Sequence, residues 1–430
     1  MIQEAFLYFL WKYQYFNTKD LTTTSGESVS VQSIGIRNGF AGPDFKEARV
    51  TIAGMQWAGA VEMHVRSSDW FRHGHQHDAN YENVVLHVVW EDDKAIVLAD
   101  GSVIPTIVLE GLVKPEVLRR YRYMIESRSQ MPCDQSLKKV KAITRLSMVE
   151  RVLVSRIQEK ATVFSGLLER NENDWEETAY QWLARGFGFK TNAENMQELA
   201  ASLPLKVLQK HRNQPRQIEA LVFGQAGFLD VDMRDEYPLS LKKEYLFLKS
   251  KYGLKNKVNY NSWHFTKVRP NNYPTIRLAQ LAALITKFPH IFSFFSEIKD
   301  FNSFMKDLEI EQSVYWTRHY AIDKPAKRAI GMLSKSAREN LIINTTVPFL
   351  AAFAKTRDSP AQLEKALNLL AGIPAERNNI TELWQRYGWN VSSAFDSQGL
   401  IQLYNQYCTQ KRCIECSIGL ELIDTPNILS

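Results

Sequence analysis

The chain has 430 residues, 45% of them hydrophobic and 23% charged, with a formal net charge of +6. That is globular composition, long enough for more than one core, and the charge tolerates a polyanionic partner without demanding one. Four cysteines exclude a secreted disulfide framework, Glu4 and Lys12 interrupt an N-terminus without a cleavage site, and no apolar run is long enough to span a bilayer. The expectation is a cytoplasmic protein with no membrane partner, its oligomeric state left open.

Phe6, Leu7, Leu10, Tyr13 and Phe16 recur at helical spacing, so the first sixteen residues are expected to form a helix. From Ser28 to about Leu109, short β-rich runs follow: VSVQSIGI, KEARVTIAG, GAVEMHV, NVVLHVVW and AIVLAD. One short helix fits between residues 67 and 82. After Lys114 the pattern is helical. Leu146, Val149, Leu153, Ile157, Phe164 and Leu168 form one stripe, and similar patterns continue to the C-terminus, broken by a Pro/Asn-rich loop at 268–274. The expected architecture is an α/β domain over residues 1–114, a mixed sheet with flanking helices, followed by a large all-α domain over 115–430.

Pro43-Asp44 is followed eighteen positions later by Glu62-x-His64. Strand alternation puts Glu62 and His64 on one face. A turn centred on Gly54 sets His64 opposite Asp44 and Glu62 opposite Lys46. A one-residue slip turns Asp44 away, so the constellation needs an odd-numbered loop or a bulge. Two carboxylates that close repel unless a cation neutralises them; magnesium or manganese suits such oxygens, and an adjacent Lys or His orients a water. The competing reading is the polar face of an antiparallel sheet.

Five histidines fall between residues 64 and 87. His73-x-His75 has the ligand types of a zinc or manganese centre, which would suit a hydrolase of small molecules. A solvated turn and a phosphate contact are the alternatives. His87, between Leu86 and Val88, reads as a hydrogen-bonded core residue. Cys408, Cys413 and Cys416 form C-x4-C-x2-C; with Cys133 they make four soft ligands for zinc or a 4Fe–4S cluster, or else small residues buried on a helical face. Lys242, Lys243, Lys249 and Lys251 alternate with Tyr245, Phe247 and Tyr252, which suits single-stranded nucleic acid or the solvated face of a helix.

Helix, three strands with Pro43-Asp44 opening the second and Glu62-x-His64 on the third, then helix and strand, resembles the PD-(D/E)XK nuclease core over residues 1 to 110. His64 stands where lysine is usual. The resemblance implies divalent-metal-dependent cleavage of DNA or RNA phosphodiesters, with Asp44 and Glu62 holding magnesium or manganese. Glu4 from the first helix would assist, and His64 or Lys46 would position the water. The missing lysine equally fits a catalytically inactive nucleic-acid-binding or assembly protein on the same fold. The wider text (GPDF, VEMH, SSDW, HGHQHDANY, LHVVW, RPNNYP and the three late cysteines) is similar to a family of uncharacterised bacterial proteins catalogued as a domain of unknown function, over nearly the whole chain.

Overall fold

A computed structural model describes residues 2–98, 101–255, 258–266 and 272–424. The chain forms two compact units. The first runs to Met148 and takes in the segment from Leu403 onward; the second is Val149–Gln402. The α/β unit therefore extends past residue 114 and includes C-terminal residues whose helical pattern grouped them with the all-α domain.

Helix α1 (Glu4–Tyr13) ends three residues short of expectation. Gln14 adopts the left-handed conformation (φ 54°), and its N–H caps the carbonyls of Leu10 and Trp11. A six-stranded mixed sheet follows. Its strands are β1 (Val29–Ser33), β2 (Ile36–Arg37), β3 (Phe45–Ile52), β4 (Met55–Arg66), β5 (Val84–Glu91) and β6 (Thr106–Val108), in the order β1-β3-β4-β5-β6 with β2 also on β3. The first half is antiparallel, whereas β5 and β6 run parallel to β4. A parallel step needs a crossover, and the segment with α2 (Asp69–Arg72) and two 3-10 turns supplies it. The AIVLAD run yields only a bridge between Val97 and Val103, with residues 99–100 outside the described set.

The β3–β4 hairpin closes through Ala53 and Gly54, both at positive φ (51° and 81°), as a tight two-residue turn requires. Register then runs in step from Ile52↔Met55 to Ala48↔Gly59 and breaks: the next pair is Phe45↔Val61. Three steps on β3 match two on β4, so the strand bulges at Lys46–Glu47, with Glu47 left-handed (φ 59°). Across that bulge the edge strand breaks at Gly35 (φ 84°), where a Cβ would stand 2.5 Å from the Lys46 carbonyl oxygen. Glycine is what the backbone approach there permits.

Helices α3 (Pro115–Glu126) and α4 (Ala142–Arg170) follow, and the division between the units falls inside α4. Val149, Leu153, Ile157, Phe164 and Leu168 of the expected stripe are buried, but Leu146 is 58% exposed. The second unit is helical around one large core, with one small hairpin (His319–Ala321, Lys324–Pro325) that the all-α expectation lacked. Of the 268–274 loop, residues 267–271 lie outside the described set, and Pro274 opens a helix. No helix among the described residues is long and apolar enough to cross a membrane.

Candidate metal centre

The bulge decides which residues meet. Continuing the Phe45↔Val61 register sets Asp44 opposite Glu62, on the face of the sheet that also carries His64. The expected pairing, with His64 opposite Asp44 and Glu62 opposite Lys46, is replaced by a direct carboxylate pair. The Asp44 N–H donates to Glu62 Oε2 at 3.0 Å, and the Met63 N–H donates to Asp44 Oδ2 at 3.1 Å. Burial raises both carboxyls above their ordinary range, and the Asp44 charge pushes Glu62 further.

Helix α1 packs against β4 and adds Glu4 and, one turn on, Tyr8. The Tyr8 hydroxyl bonds Asp44, and Glu4 contributes charge to both carboxyls. Glu4 is itself raised, chiefly by burial. Lys46 lies in the bulge, exposed to solvent. The cation that acts on Asp44 is instead Arg37 of β2, whose guanidinium lies 4.8 Å from the Tyr8 ring centroid.

His64 and His87 come from neighbouring parallel strands, and His64 Nδ1 lies 2.9 Å from His87 Nε2. Both rings are buried, and burial drives their pKa values far down, to about 2 and about 3, so both are neutral. Past β4 the chain turns a corner pinned by Asp93. That carboxylate accepts from Ser67 Oγ (3.0 Å), the Ser68 N–H (2.8 Å) and Ser68 Oγ (2.7 Å). The corner launches α2, where Asp69 accepts from the Arg66 N–H at 3.2 Å and Trp70 is buried beside the histidines. His73 closes α2, and Gly74 (φ 75°) swings the chain so that His75 returns. The His75 ring stacks on Tyr81, centroids 3.8 Å apart, and stands edge-on to Trp70.

Donor atoms of these side chains approach one another in pairs. His64 Nε2 is 3.1 Å from His73 Nδ1 and 3.6 Å from Glu62 Oε1, and His75 Nε2 is 3.2 Å from Glu62 Oε1. Donors about 2.0–2.1 Å from a tetrahedral ion stand about 3.4 Å from one another, and these three pairs have separations of that size. His64, His73 and His75 also form a trio with donor atoms all within 4.8 Å. His75 Nε2 is buried without a hydrogen-bond partner, since its approach to Glu62 has ion-pair distance but not hydrogen-bond geometry. An inward-facing imidazole lone pair with no proton donor is what a metal ligand presents. Ligation by His64 Nε2 requires its Nδ1–H to donate to His87, which makes His87 the group that orients the ligand. His73 is exposed, so the centre opens to solvent on that side.

Asp44, Glu62, Glu4, His64, His73 and His75 are thus together in the first unit, whereas Lys242, Lys243, Lys249 and Lys251 lie on a helix of the second (Glu236–Tyr252). There Tyr245 is buried and bonds Gln225 at 2.8 Å, leaving Phe247 as the exposed ring of the interleaved set. Tyr8, Arg37 and Tyr81 escaped the sequence reading. For Tyr8 the signal was its i, i+4 spacing from Glu4. Neither Arg37 nor Tyr81 carried a comparable one.

No curated protein and no solved structure matches the chain. Residues 4–379, which span every residue of this centre and most of the second unit, match one family along their length, and the chain belongs to that family, described as "Protein of unknown function (DUF2851)".

Proposed function

We propose that the α/β unit is a divalent-metal-dependent hydrolase of phosphodiester bonds in DNA or RNA. The observation that carries the reading is the trio His64, His73 and His75, whose donor atoms all lie within 4.8 Å of one another, with Glu62 Oε1 3.6 Å from His64 Nε2 and 3.2 Å from His75 Nε2. Three imidazoles with one carboxylate suit manganese or zinc better than magnesium, which prefers oxygen. Such an ion supplies a bound water ionised near neutral pH and a Lewis acid for a phosphoryl oxygen. Glu62 would hold the ion as a carboxylate, while Asp44, steadied by Tyr8 and the Met63 N–H, would stand beside it as the proton acceptor.

Two features favour an anionic substrate. Arg37 and Arg72 are exposed, yet both act electrostatically on the centre, Arg37 on Asp44 and Arg72 on His64 and Glu4. The order helix, antiparallel strands, short helix, parallel strand supports the resemblance to the PD-(D/E)XK core, with His64 serving as a ligand at the position where lysine is usual.

The test is cleavage of single- and double-stranded DNA and RNA with manganese, zinc or magnesium. Manganese- or zinc-dependent cleavage, lost in Glu62→Gln and His73→Ala, is expected. Metal-dependent hydrolysis confined to small esters or phosphomonoesters would transfer the centre to a small-molecule hydrolase. Binding of nucleic acid without cleavage under any metal would make it a catalytically silent binder.

A further inference from the structure

The C-terminal segment belongs to the first compact unit, far in sequence from the rest of it. Arg120 of α3 donates to the Ile423 carbonyl at 2.7 Å, Lys411 Nζ to the Ile125 carbonyl at 2.6 Å, and the Lys141 N–H to Glu421 Oε1 at 2.8 Å. This return assembles all four cysteines of the chain. Cys133 precedes a 3-10 turn (Asp134–Lys139), Cys408 ends the π-helical turn Tyr404–Cys408, Cys413 opens the turn Cys413–Glu415, and Cys416 leads into the helix Ser417–Asp424. Cys413 and Cys416 act electrostatically on Cys133, all three act on Cys408, and Cys416 acts on Cys413, so the four thiols gather within electrostatic reach of one another in one region. Gly419 lets the last helix close down on it: a Cβ there would stand 2.0 Å from the Cys413 carbonyl oxygen.

Two other roles for clustered cysteines fail here. A reactive or redox-sensing thiol is exposed and has a lowered pKa. Here Cys413 and Cys416 are buried and Cys133 and Cys408 are half-buried. Nor are the four joined as disulfides. Plain core packing would be served by alanine or valine and gives no reason to draw every cysteine of the chain to one place from segments more than 270 residues apart.

Spacing separates the metal possibilities. A single zinc with Zn–S about 2.3 Å holds its sulfurs about 3.8 Å apart. Among the described residues, the histidine trio is the group whose donor atoms all lie within 4.8 Å, and no three cysteine sulfurs come that close. In a cubane cluster each thiolate binds its own iron, and the sulfurs stand wider.

We propose that Cys133, Cys408, Cys413 and Cys416 ligate a 4Fe–4S cluster that ties the C-terminal segment to the α/β unit. The cluster closes a covalent-coordinate loop around the entire second unit in sequence, from Cys133 to Cys408, and long closures of this kind constrain the unfolded chain most. It is independent of the histidine centre and does not rest on the hydrolase reading.

The experiment uses the full-length chain purified without oxygen. About four irons and four acid-labile sulfides per chain are expected, with broad visible absorption that bleaches on dithionite. Cys413→Ser should lose the iron and colour and release the C-terminal segment to limited proteolysis, while His73→Ala retains both iron and colour. Zinc in place of iron overturns the proposal. So does less than one iron per chain after anaerobic reconstitution with iron and sulfide, or a full iron complement in Cys413→Ser. The wild-type iron and sulfide analysis decides the matter even where the serine variant does not fold.

Discussion

Asp44 faces Glu62 across the β3–β4 pair, its N–H 3.0 Å from Glu62 Oε2, because β3 carries one more residue than β4 beside them. In the register nearer the turn, where Ala48 pairs with Gly59, position 44 would fall opposite Met63 and its side chain would leave the site. The extra residue is held by a left-handed Glu47 on one strand and a glycine pressed against it on the next.

Deleting Glu47 removes the extra residue, so the ladder should run in step from Ala48↔Gly59 to Phe45↔Val61 and keep Asp44 opposite Glu62. Far-UV circular dichroism and metal-dependent cleavage of the deletion variant should both be near wild type, whereas Asp44→Ala should lower cleavage by about 100-fold or more, the scale of a lost general base. Gly35→Ala attacks the same feature from the neighbouring strand. It should cost about 1–3 kcal/mol in urea unfolding, since φ 84° is unfavourable for alanine and its Cβ meets the bulge backbone. Wild-type cleavage by Asp44→Ala would show that Asp44 is not the base.

The metal-free chain should be most stable near pH 6.5–7. His64, His75 and His87 are lowered by burial, so below about 6.5 the unfolded chain binds protons that the folded chain does not, and stability falls as pH drops. Asp44 and Glu62 are raised, so the folded chain keeps protons that the unfolded chain has released above about 4, and their contribution is lost as pH rises. Between these limits three histidines outweigh two carboxyls. Above neutrality the raised Glu62 dominates and stability declines. Glu62→Gln should flatten that alkaline limb, as should saturating manganese. A wild-type midpoint independent of pH from 6.5 to 9 would contradict the buried carboxylate pair.

His87→Phe should leave the fold largely intact and weaken metal binding. Phenylalanine fills the buried volume and removes the unpartnered Nδ1 of His87, but His64 loses the group that orients its ring. Loss of such a second partner typically lowers metal affinity about 10–100-fold. Titration calorimetry with manganese or zinc reads this, and unchanged affinity would show that His64 is not a ligand.

Arg37 acts on Asp44 as a cation, a part that the family resemblance offered to Lys46. Arg37→Ala should raise KM for nucleic acid by about tenfold, the scale of one charged contact to phosphate. Lys46→Ala should stay within about twofold, because its side chain is exposed in the bulge. Equal effects would mean that both cations meet the substrate.

Much of this site was legible as residue types and little of it as register. Alternation alone put Glu62 and His64 on one face, and helical spacing carried Glu4 on the first helix. What alternation does not encode is an inserted residue. The bulge at Lys46–Glu47 has no glycine of its own, and its signature, Gly35, sits on another strand. The histidine run offered a metal site, a solvated turn and a phosphate contact alike, because Gly74 and its neighbours have the composition of a loop. The rings of His64, His73 and His75 come together only through contacts distant in sequence: Asp93 pinning Ser67 and Ser68, and Tyr81 stacking on His75. Leu146 failed as a core position because helical periodicity continues along α4 beyond the stretch that is covered. The C-terminal segment joined the α/β unit for a similar reason, since amphipathic pattern says that a face is buried but not against what.

Anomalous diffraction from crystals of the full chain soaked in manganese or zinc tests the centre most directly. A peak about 2.0–2.2 Å from Glu62 Oε1, His64 Nε2, His73 Nδ1 and His75 Nε2 is the predicted result. A peak held by Asp44, Glu62 and Glu4 with the histidines turned away, or metal found at no point among these residues, would contradict it.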